Sequence, residues 1–285
     1  MFGFLNIYKP KGKTSHDVVA ILRRVTKVKQ IGHTGTLDPF AEGVLPICVG
    51  KATRLIEFLN DDKAYVATVQ FGSATDTFDL EGYITKTSDK IPALNEIEEN
   101  LENFRGEIEQ MPPIFSAIKV NGKKLYEYAR AGKEVEVKPR KVCILELNLL
   151  KYDSENRTLE LYIACSKGTY IRSIANDLGE MLGCYGHLIK LVRVKAGNFD
   201  LSDAIKLEDL QTKEDVENKL IYPLDKLDFQ IYELNEIEKE KISHGMQIFA
   251  KKDLADDIAI LTFANELIAI AQVQGNKITC KKVFI

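Results

Sequence analysis

The sequence predicts an α+β fold in which a large first domain precedes a small all-β domain. Two patterns predict it. In the first part of the chain, alternating apolar residues such as AYVATVQFG (64–72) indicate half-buried strands, and they stand among segments with helical spacing such as 15–29. After residue 228, three alternating segments (258–266, 267–274 and 277–285), separated by short polar turns, are typical of a small β barrel.

Length and composition limit the class of protein further. A chain of 285 residues with a net charge of −3 can bury a core without disulfides or a structural metal. Its five cysteines and four histidines are scattered, without a CxxC pair or zinc-ligand spacing, so we expect reduced thiols and no metal or other cofactor. Because there is no signal-peptide run and no apolar stretch of about 18 residues, we expect a soluble, cytoplasmic protein. We further expect a monomer.

Positive charge is concentrated in two segments. Residues 9–29 carry seven Lys/Arg against Asp17 alone, and residues 117–141 carry eight against three acids, whereas residues 201–241 carry twelve acids and six lysines. Two local basic segments in an acidic chain indicate a specific polyanion site, although lysine-rich surfaces are more often simply solvated.

The chain begins with an apolar strand, a lysine-rich turn and a helix. Residues 9–12 (KPKG) form the turn, and Ser15 is the predicted N-cap of a helix whose apolar face carries positions 18, 19, 22 and 25.

The next segment, GHTGTLDPFAEGVLPICVGKATR (32–54), contains the acid Asp38. Because Asp38 precedes Pro39, it suits the start of a helical turn, where its carboxylate would cap free N–H groups and stay ionised. Gly43 would end that turn, and residues 44–49 would form a buried strand. An isolated Asp-Pro pair is more often only a cap-and-turn signal, so the pair alone assigns no role.

Alternation in residues 64–72 places Tyr65 on one face of a strand. An aromatic residue there is usually part of the core, but it can also stack on an extruded base. The following TDTFDLEG (75–82) lacks the spacing of a calcium loop and predicts a hairpin turn, and residues 90–110 predict a polar amphipathic helix.

Basic and aromatic residues alternate in residues 112–141, around an Asn-Gly turn. This mixture suits contact with phosphate and bases, and an exposed helical hairpin with solvated lysines is the alternative. Further along, a strand and a turn at Gly168 lead into a helix ended by Gly183, with Arg172 near its start. A cation is unfavourable there, so we expect Arg172 to have an acidic partner, and Asp38 is the candidate. An ordinary structural salt bridge is the alternative.

Four of these segments resemble motifs of the TruB family of tRNA pseudouridine synthases. They are K-P-x-G-x-[ST]-S at 9–15, G-H-x-G-x-L-D-P at 32–39, the S-A-[IL]-K-x-x-G segment at 116–122, and C-S-x-G-T-Y-[IV]-R at 165–172. The resemblance implies a pseudouridine synthase fold with a mixed, largely antiparallel central sheet flanked by helices. It further implies a catalytic domain at 1–228, a thumb inserted at about 112–141, and a short PUA-like RNA-binding domain at 229–285.

The resemblance also implies roles for individual residues. Asp38 is the catalytic acid, Arg172 its partner, and Tyr65 the active-site aromatic. His33 would fill the space left by the flipped base, although a turn histidine with a satisfied hydrogen bond is the alternative. Val192 stands where many relatives have a basic residue. The substrate-binding set implied is His33, Tyr170, Leu191, Lys9, Lys119, Lys123, Lys124 and Arg130.

The function implied is isomerisation of uridine to pseudouridine at position 55 in the T loop of tRNA, after the base is flipped out of its stack. Asp38 would either attack C1′ or remove the C2′ proton, and the sequence does not choose between these routes. Two alternatives remain: an RNA N-glycosidase with Glu42 as a second carboxylate, and a non-catalytic RNA-binding chaperone.

Overall fold

The computed structural model of the protein describes residues 1–133, 135–251 and 253–285. The helices in these ranges are α1 (Ser15–Thr26), α2 (Leu94–Leu101), α3 (Leu125–Arg130), α4 (Ile171–Met181), α5 (Lys213–Asn218) and α6 (Glu236–Ser243). The strands are β1 (Gly3–Lys9), β2 (Ile31–His33), β3 (Glu42–Val49), β4 (Lys63–Phe71), β5 (Ser73–Thr75), β6 (Ile84–Thr87), β7 (Gly106–Gln110), β8 (Lys119–Val120), β9 (Lys123–Lys124), β10 (Arg140–Asp153), β11 (Thr158–Cys165), β12 (Gly186–Ala196), β13 (Phe199–Asp200), β14 (Ile205–Lys206), β15 (Gln230–Glu233), β16 (Ile248–Phe249), β17 (Ile258–Phe263), β18 (Glu266–Gln274) and β19 (Lys277–Val283).

A ten-stranded mixed sheet forms the centre of the molecule. Its main order is β14-β1-β3-β12-β4-β11-β10-β7, with β2 beside β3 and β13 beside β12. The pairs β1–β14 and β3–β12 are parallel, and the remaining pairs of this sheet are antiparallel. The mixed, largely antiparallel central sheet predicted from the sequence is therefore confirmed.

The strand register places helices α1, α2 and α4 and the cleft described below on one face of this sheet. Leu45 of β3 pairs with Ile7 of β1, Gly43 pairs with Arg193 of β12, and Arg193 pairs with Tyr65 of β4. Paired residues point to the same side of a sheet, and so do alternate residues along a strand. We call this side the front face. Helix α1 packs on it over β1 and β3, and α2 and α4 pack on it over β4, β10 and β11.

A five-stranded sheet, ordered β15-β17-β18-β19-β16, covers part of the opposite, back face. Ile260, Leu267 and Ile270 of this sheet share one buried cluster with Phe4 and Val44 of the central sheet. The contact is reinforced where Lys51 Nζ donates to the Phe284 carbonyl at 2.7 Å and Arg54 Nη1 donates to the Val283 carbonyl at 2.8 Å. The two sheets are therefore joined through a common apolar core.

Two local predictions need correction. The predicted helix over 90–110 ends at α2, because Gly106 takes a φ of +72° and residues 106–110 pair with β10 as a strand. Thr14, not Ser15, is the N-cap of α1 and forms a capping box with Asp17. Among the described residues, no helix has both the length and the apolar character needed to span a membrane.

Candidate active site

A cleft of about 650 Å³ opens on the front face between the Asp38 loop and the start of α4. Its lining comes from segments that are far apart in the chain: Thr34–Pro39, Asp61, Lys63, Tyr65, Thr77, Asp79, Glu81, Phe115–Ala117, Tyr126, Arg130, Ser166–Arg172 and Leu191. Of the residues implied by the sequence, the cleft brings together Asp38, Arg172, Tyr65, Tyr170 and Leu191. Arg130 reaches it from the thumb.

Asp38 lies on an irregular loop between β2 and β3, and the helical turn predicted after it is absent from this described segment. The Ala41 N–H donates to the Asp38 carbonyl at 3.1 Å, which closes a single turn. At Gly43 the φ is +108°, and a Cβ there would lie 2.3 Å from the Arg193 carbonyl oxygen. Gly43 thus permits the close approach of β3 to β12, so it has a packing role and does not end a helix.

Asp38 and Arg172 form an ion pair, as the position of Arg172 at the start of a helix predicted. Arg172 Nε lies 3.0 Å from Asp38 Oδ2, and the two side chains are 6% and 34% exposed. The Nε–H does not point along this line, so the contact is an ion pair without an aligned hydrogen bond. Burial raises the pKa of the Asp38 carboxyl above its ordinary value; Arg172 opposes the rise, and Asp79 adds to it.

Asp79 is a site residue that the sequence reasoning placed only in a hairpin turn. It is 5% exposed, and its Oδ2 lies 3.2 Å from Arg172 Nη1. Arg172 also donates to the carbonyls of Thr77 and Phe115, at 3.1 Å each. One guanidinium therefore joins the Asp38 loop, the β5–β6 hairpin and the base of the thumb.

Arg193 is the second residue whose importance the sequence did not indicate. It is 1% exposed and donates to the carbonyls of Val44 (2.7 Å), Thr36 (3.3 Å) and Gly35 (3.2 Å). These contacts fix the loop immediately before Asp38 onto β12. Its charge also lies close enough to Tyr65 to oppose the rise that burial causes in the pKa of that phenol.

Lys9 does not line the cleft as the substrate-binding role implied. It is fully buried, and its ammonium donates to the carbonyls of Pro10 (3.0 Å), Lys13 (2.6 Å) and Pro39 (3.3 Å). Burial lowers the pKa of Lys9 to about 8. Because all three bonds go to backbone, Lys9 supports the Asp38 loop from below, and its ammonium is not directed at a ligand in the cleft.

One wall of the cleft is aromatic and apolar. Tyr65 and Leu191 are nearly fully buried on the adjacent strands β4 and β12. Tyr170 directly precedes α4, and its backbone is held by Gln110, which accepts from the Tyr170 N–H at 2.7 Å and donates to its carbonyl at 3.0 Å. A flat ring can pack between these side chains within reach of Asp38.

His33 and the thumb lysines lie outside the cleft lining. His33 is in β2, and its buried Nδ1 has no hydrogen-bond partner among the described residues, so the expected satisfied hydrogen bond is missing at this nitrogen. Lys119 and Lys123 are exposed on the β8–β9 hairpin, which turns at Asn121-Gly122 as predicted. Lys124 Nζ and Arg130 Cζ each lie 5.4 Å from the centre of the Tyr126 ring.

The described residues contain no group of three or more His, Cys, Asp or Glu side chains placed to hold a metal ion. The acids that line the cleft are Asp38, Asp61, Asp79 and Glu81. Asp38 and Asp79 share Arg172 as their cationic partner, Asp38 is the more exposed of the two, and Asp61 pairs with Lys167 at 2.8 Å. Asp38 thus combines a fixed cationic partner with a place beside the aromatic and apolar wall.

Known structures define the class of this fold. The chain matches a chain of an H/ACA ribonucleoprotein bound to a substrate RNA containing 2′-deoxyuridine, with a TM-score of 0.73 and 24% identity over 100% of this chain and 85% of that chain. A Cbf5–Nop10–Gar1 complex gives the same TM-score, identity and coverage. The chain therefore has the pseudouridine synthase fold.

Sequence comparison gives the family. The model of the TruB family pseudouridylate synthase N-terminal domain matches residues 23–171, and that of the tRNA pseudouridylate synthase B C-terminal domain matches residues 172–227. The tRNA pseudouridine synthase B of Caldanaerobacter subterraneus subsp. tengcongensis is 43% identical over 99% of both chains. That of Francisella tularensis subsp. novicida is 42% identical over 99% of this chain and 94% of its own. This chain belongs to the TruB family of pseudouridylate synthases.

Proposed function

We propose that this protein isomerises the uridine at position 55 in the T loop of tRNA to pseudouridine, with Asp38 as the catalytic acid. The reaction breaks the C1′–N1 bond, turns the uracil and joins C1′ to C5, from which a proton is released. The observation that carries the proposal is the Asp38–Arg172 ion pair at the base of a cleft with an aromatic wall. The names of the relatives support tRNA as the substrate.

Each proposed role follows from a position in the cleft. A stacked uridine cannot reach Asp38, so its base must leave the loop at a cost of about a few kcal/mol. Tyr65 and Leu191 offer a surface against which the base can pack, and Tyr170 bounds the same space. Arg172 orients the carboxylate and favours its ionised form, which either route at C1′ or C2′ requires. The thumb cations would hold the T arm outside the cleft.

The domain division predicted from the sequence is also part of the proposal. Residues 1–228, with the thumb at 112–141, would hold the reaction, and residues 229–285 would add RNA contacts. The family match that ends at 227 and the separate sheet that begins with β15 support this division. A monomeric state and independence of metal stay predictions.

An N-glycosidase is less well supported than an isomerase. Glu42, the second carboxylate in the sequence, accepts a hydrogen bond from the Tyr8 hydroxyl at 2.7 Å and is not among the residues that line the cleft. Asp79 does line it but is committed to Arg172. Glu42 is therefore not placed to act in the cleft, and Asp79 is not free to activate a water molecule, as an inverting hydrolase needs. Asp61 and Glu81 also line the cleft, so free uracil is assayed directly in the experiment that follows.

The decisive experiment uses tRNA that carries 5-tritiated uridine. The wild-type protein should release tritium and no free uracil, because isomerisation exchanges the C5 hydrogen and keeps the base attached. Asp38→Asn should slow this release by at least about a thousandfold while tRNA binding persists. Turnover near the wild-type rate in that variant would refute the role of Asp38. Free uracil would indicate hydrolysis, and binding without tritium release by the wild type would favour the chaperone.

A further inference from the structure

Five exposed cations lie on and beside α1, and the site described above uses none of them. We call Lys11, Lys13, Arg24, Lys27 and Lys29 the α1 strip. Within the described ranges, none of these five side chains takes part in an ion pair, whereas some exposed cations elsewhere, such as Lys86 and Lys167, do. The strip therefore carries net positive charge that the protein itself does not compensate.

One acid, Asp17, lowers the net charge of this segment but does not cancel it. Its carboxylate caps α1 by accepting hydrogen bonds from the Thr14 N–H at 2.8 Å and the Thr14 hydroxyl at 2.7 Å, and its single negative charge also interacts with Lys13. Of the other cations in residues 9–29, Lys9 is buried on carbonyls and Arg23 donates to the Ile31 carbonyl at 2.7 Å. The basic segment seen in the sequence thus divides into two structural cations and five free ones.

Helix stability does not explain the strip. Arg24 and Lys27 are near the C-terminal end of α1, where the helix dipole favours a cation. Lys11 and Lys13 precede the N-terminal end, where the dipole disfavours one. The positions of Lys11 and Lys13 are therefore not explained by stabilisation of the helix.

The strip begins at the edge of the cleft. The Gly12 N–H donates to the Pro39 carbonyl at 2.8 Å, and Ser15 and Leu37 exchange two hydrogen bonds, so the start of α1 adjoins the Asp38 loop. From there the helix runs 12 residues, or about 18 Å, on the front face of the sheet. The thumb stands on the other side of the same cleft, where Arg172 holds its base.

We propose that the α1 strip binds the phosphodiester backbone of the substrate RNA, alongside the segment whose base enters the cleft. The proposal rests on the proposed function, since it takes RNA as the substrate. Ammonium and guanidinium groups without internal partners attract phosphates and release the counterions that phosphates condense. The strip and the thumb would then hold the RNA from both sides of Asp38, so that the base is extracted from a clamped backbone.

The test compares two triple variants of the full chain. One is Lys13→Gln, Arg24→Gln and Lys29→Gln in the strip. The control is Lys151→Gln, Lys190→Gln and Arg105→Gln, which removes the same charge from exposed positions; Lys151 and Lys190 lie on the back face, in line with Thr68 and Glu160, and Arg105 pairs with Glu102 beside α2. The Kd for unmodified whole tRNA is measured at several salt concentrations, and thermal unfolding checks that both variants fold.

The strip variant should bind tRNA about tenfold or more weakly at 0.1 M salt, and its plot of log affinity against log salt should be shallower by about two to three. The control should keep the wild-type slope. Equal slopes for the strip variant and the wild type, or an equal loss in the control, would overturn the proposal. If the triple variant does not fold, Lys13→Gln alone should lower the slope by about one.

Tritium release by the wild type separates the two failures. If the wild type releases tritium and the strip variant keeps the wild-type salt dependence of tRNA binding, the proposal for the strip is rejected and the proposed isomerase activity stands. If tRNA binding depends on the strip but the wild type releases no tritium, the proposal for the strip stands and the proposed isomerase activity is rejected.

Discussion

The base of the cleft and the thumb differ in how their cations are held. At the base, Arg172 is 6% exposed and is bonded to Asp38, Asp79 and two carbonyls, so its position is fixed before any substrate arrives. On the thumb, Lys119 and Lys123 are exposed and lack ion pairs within the described residues. In the proposed reaction, the base of the cleft orients Asp38 and the thumb attracts the RNA. Substitutions at the base should therefore change the rate of the reaction, and substitutions in the thumb should change the affinity for tRNA.

The largest effect is expected at Arg172. Arg172→Met should lower the single-turnover rate of tritium release about 10²- to 10³-fold, because it removes the fixed partner of Asp38 from a partly buried site. The Kd for tRNA should change much less. Arg105→Met, which removes an exposed cation paired with Glu102, is the control and should leave both quantities unchanged. A change confined to Kd would contradict the comparison.

Arg193 tests whether the base is fixed by the fold itself. Arg193→Met should lower the free energy of unfolding by about 3 kcal/mol, since one buried carbonyl (Val44) and two part-buried ones (Gly35 and Thr36) lose their donor. Urea denaturation measures this change, with the exposed Lys151→Met as the control. A loss below about 1 kcal/mol would mean that the loop before Asp38 is held by other contacts.

The thumb should respond in affinity. Lys119→Gln combined with Lys123→Gln should raise the Kd for tRNA about tenfold at 0.1 M salt, because two phosphate contacts are lost. The effect should fall on KM and diminish as salt rises. Lys151→Gln with Lys190→Gln provides a matched pair on the back face. A drop in kcat with KM unchanged would place the thumb in the chemical step.

The pH profile gives the smallest and finest test. In the proposed reaction Asp38 acts in its ionised form, and burial raises its pKa, so the single-turnover rate should fall on acidification through that raised pKa. Asp79 contributes to the rise, because a negative charge nearby disfavours a second one. In Asp79→Asn the midpoint should therefore move to lower pH, in addition to any loss of rate. A midpoint that moves to higher pH would show that Asp79 acts mainly by holding Arg172.

Local patterns predicted the parts of the site that depend on local physics. A cation at the start of α4 indicated that Arg172 has an acidic partner, and Asp38 was one candidate; the resemblance to the family motif, not local physics, implied the pairing that the structure contains. Alternation placed Tyr65 on a strand face, and Asn-Gly fixed the thumb hairpin. Asp79 was missed because its partner is 93 residues away and only the folded hairpin buries it.

The remaining errors share a tertiary cause. Nothing in the sequence indicated that Lys9 and Arg193 are buried. In the structure, both donate hydrogen bonds to carbonyls of the Asp38 loop and hold that loop in place. Residues 106–110 have the spacing of a helix, but pairing with β10 overrides it. Burial and long-range pairing, rather than propensity, decided each of these positions.

The shared core behind the central sheet has a practical consequence. Phe4 and Val44 of the central sheet are covered by the apolar residues Ile260, Leu267 and Ile270. A protein truncated after residue 228 would therefore expose an apolar surface to water. Such a fragment should aggregate during expression, even if its active site is intact. Residues 229–285 would thus keep residues 1–228 soluble, whether or not they also contact RNA.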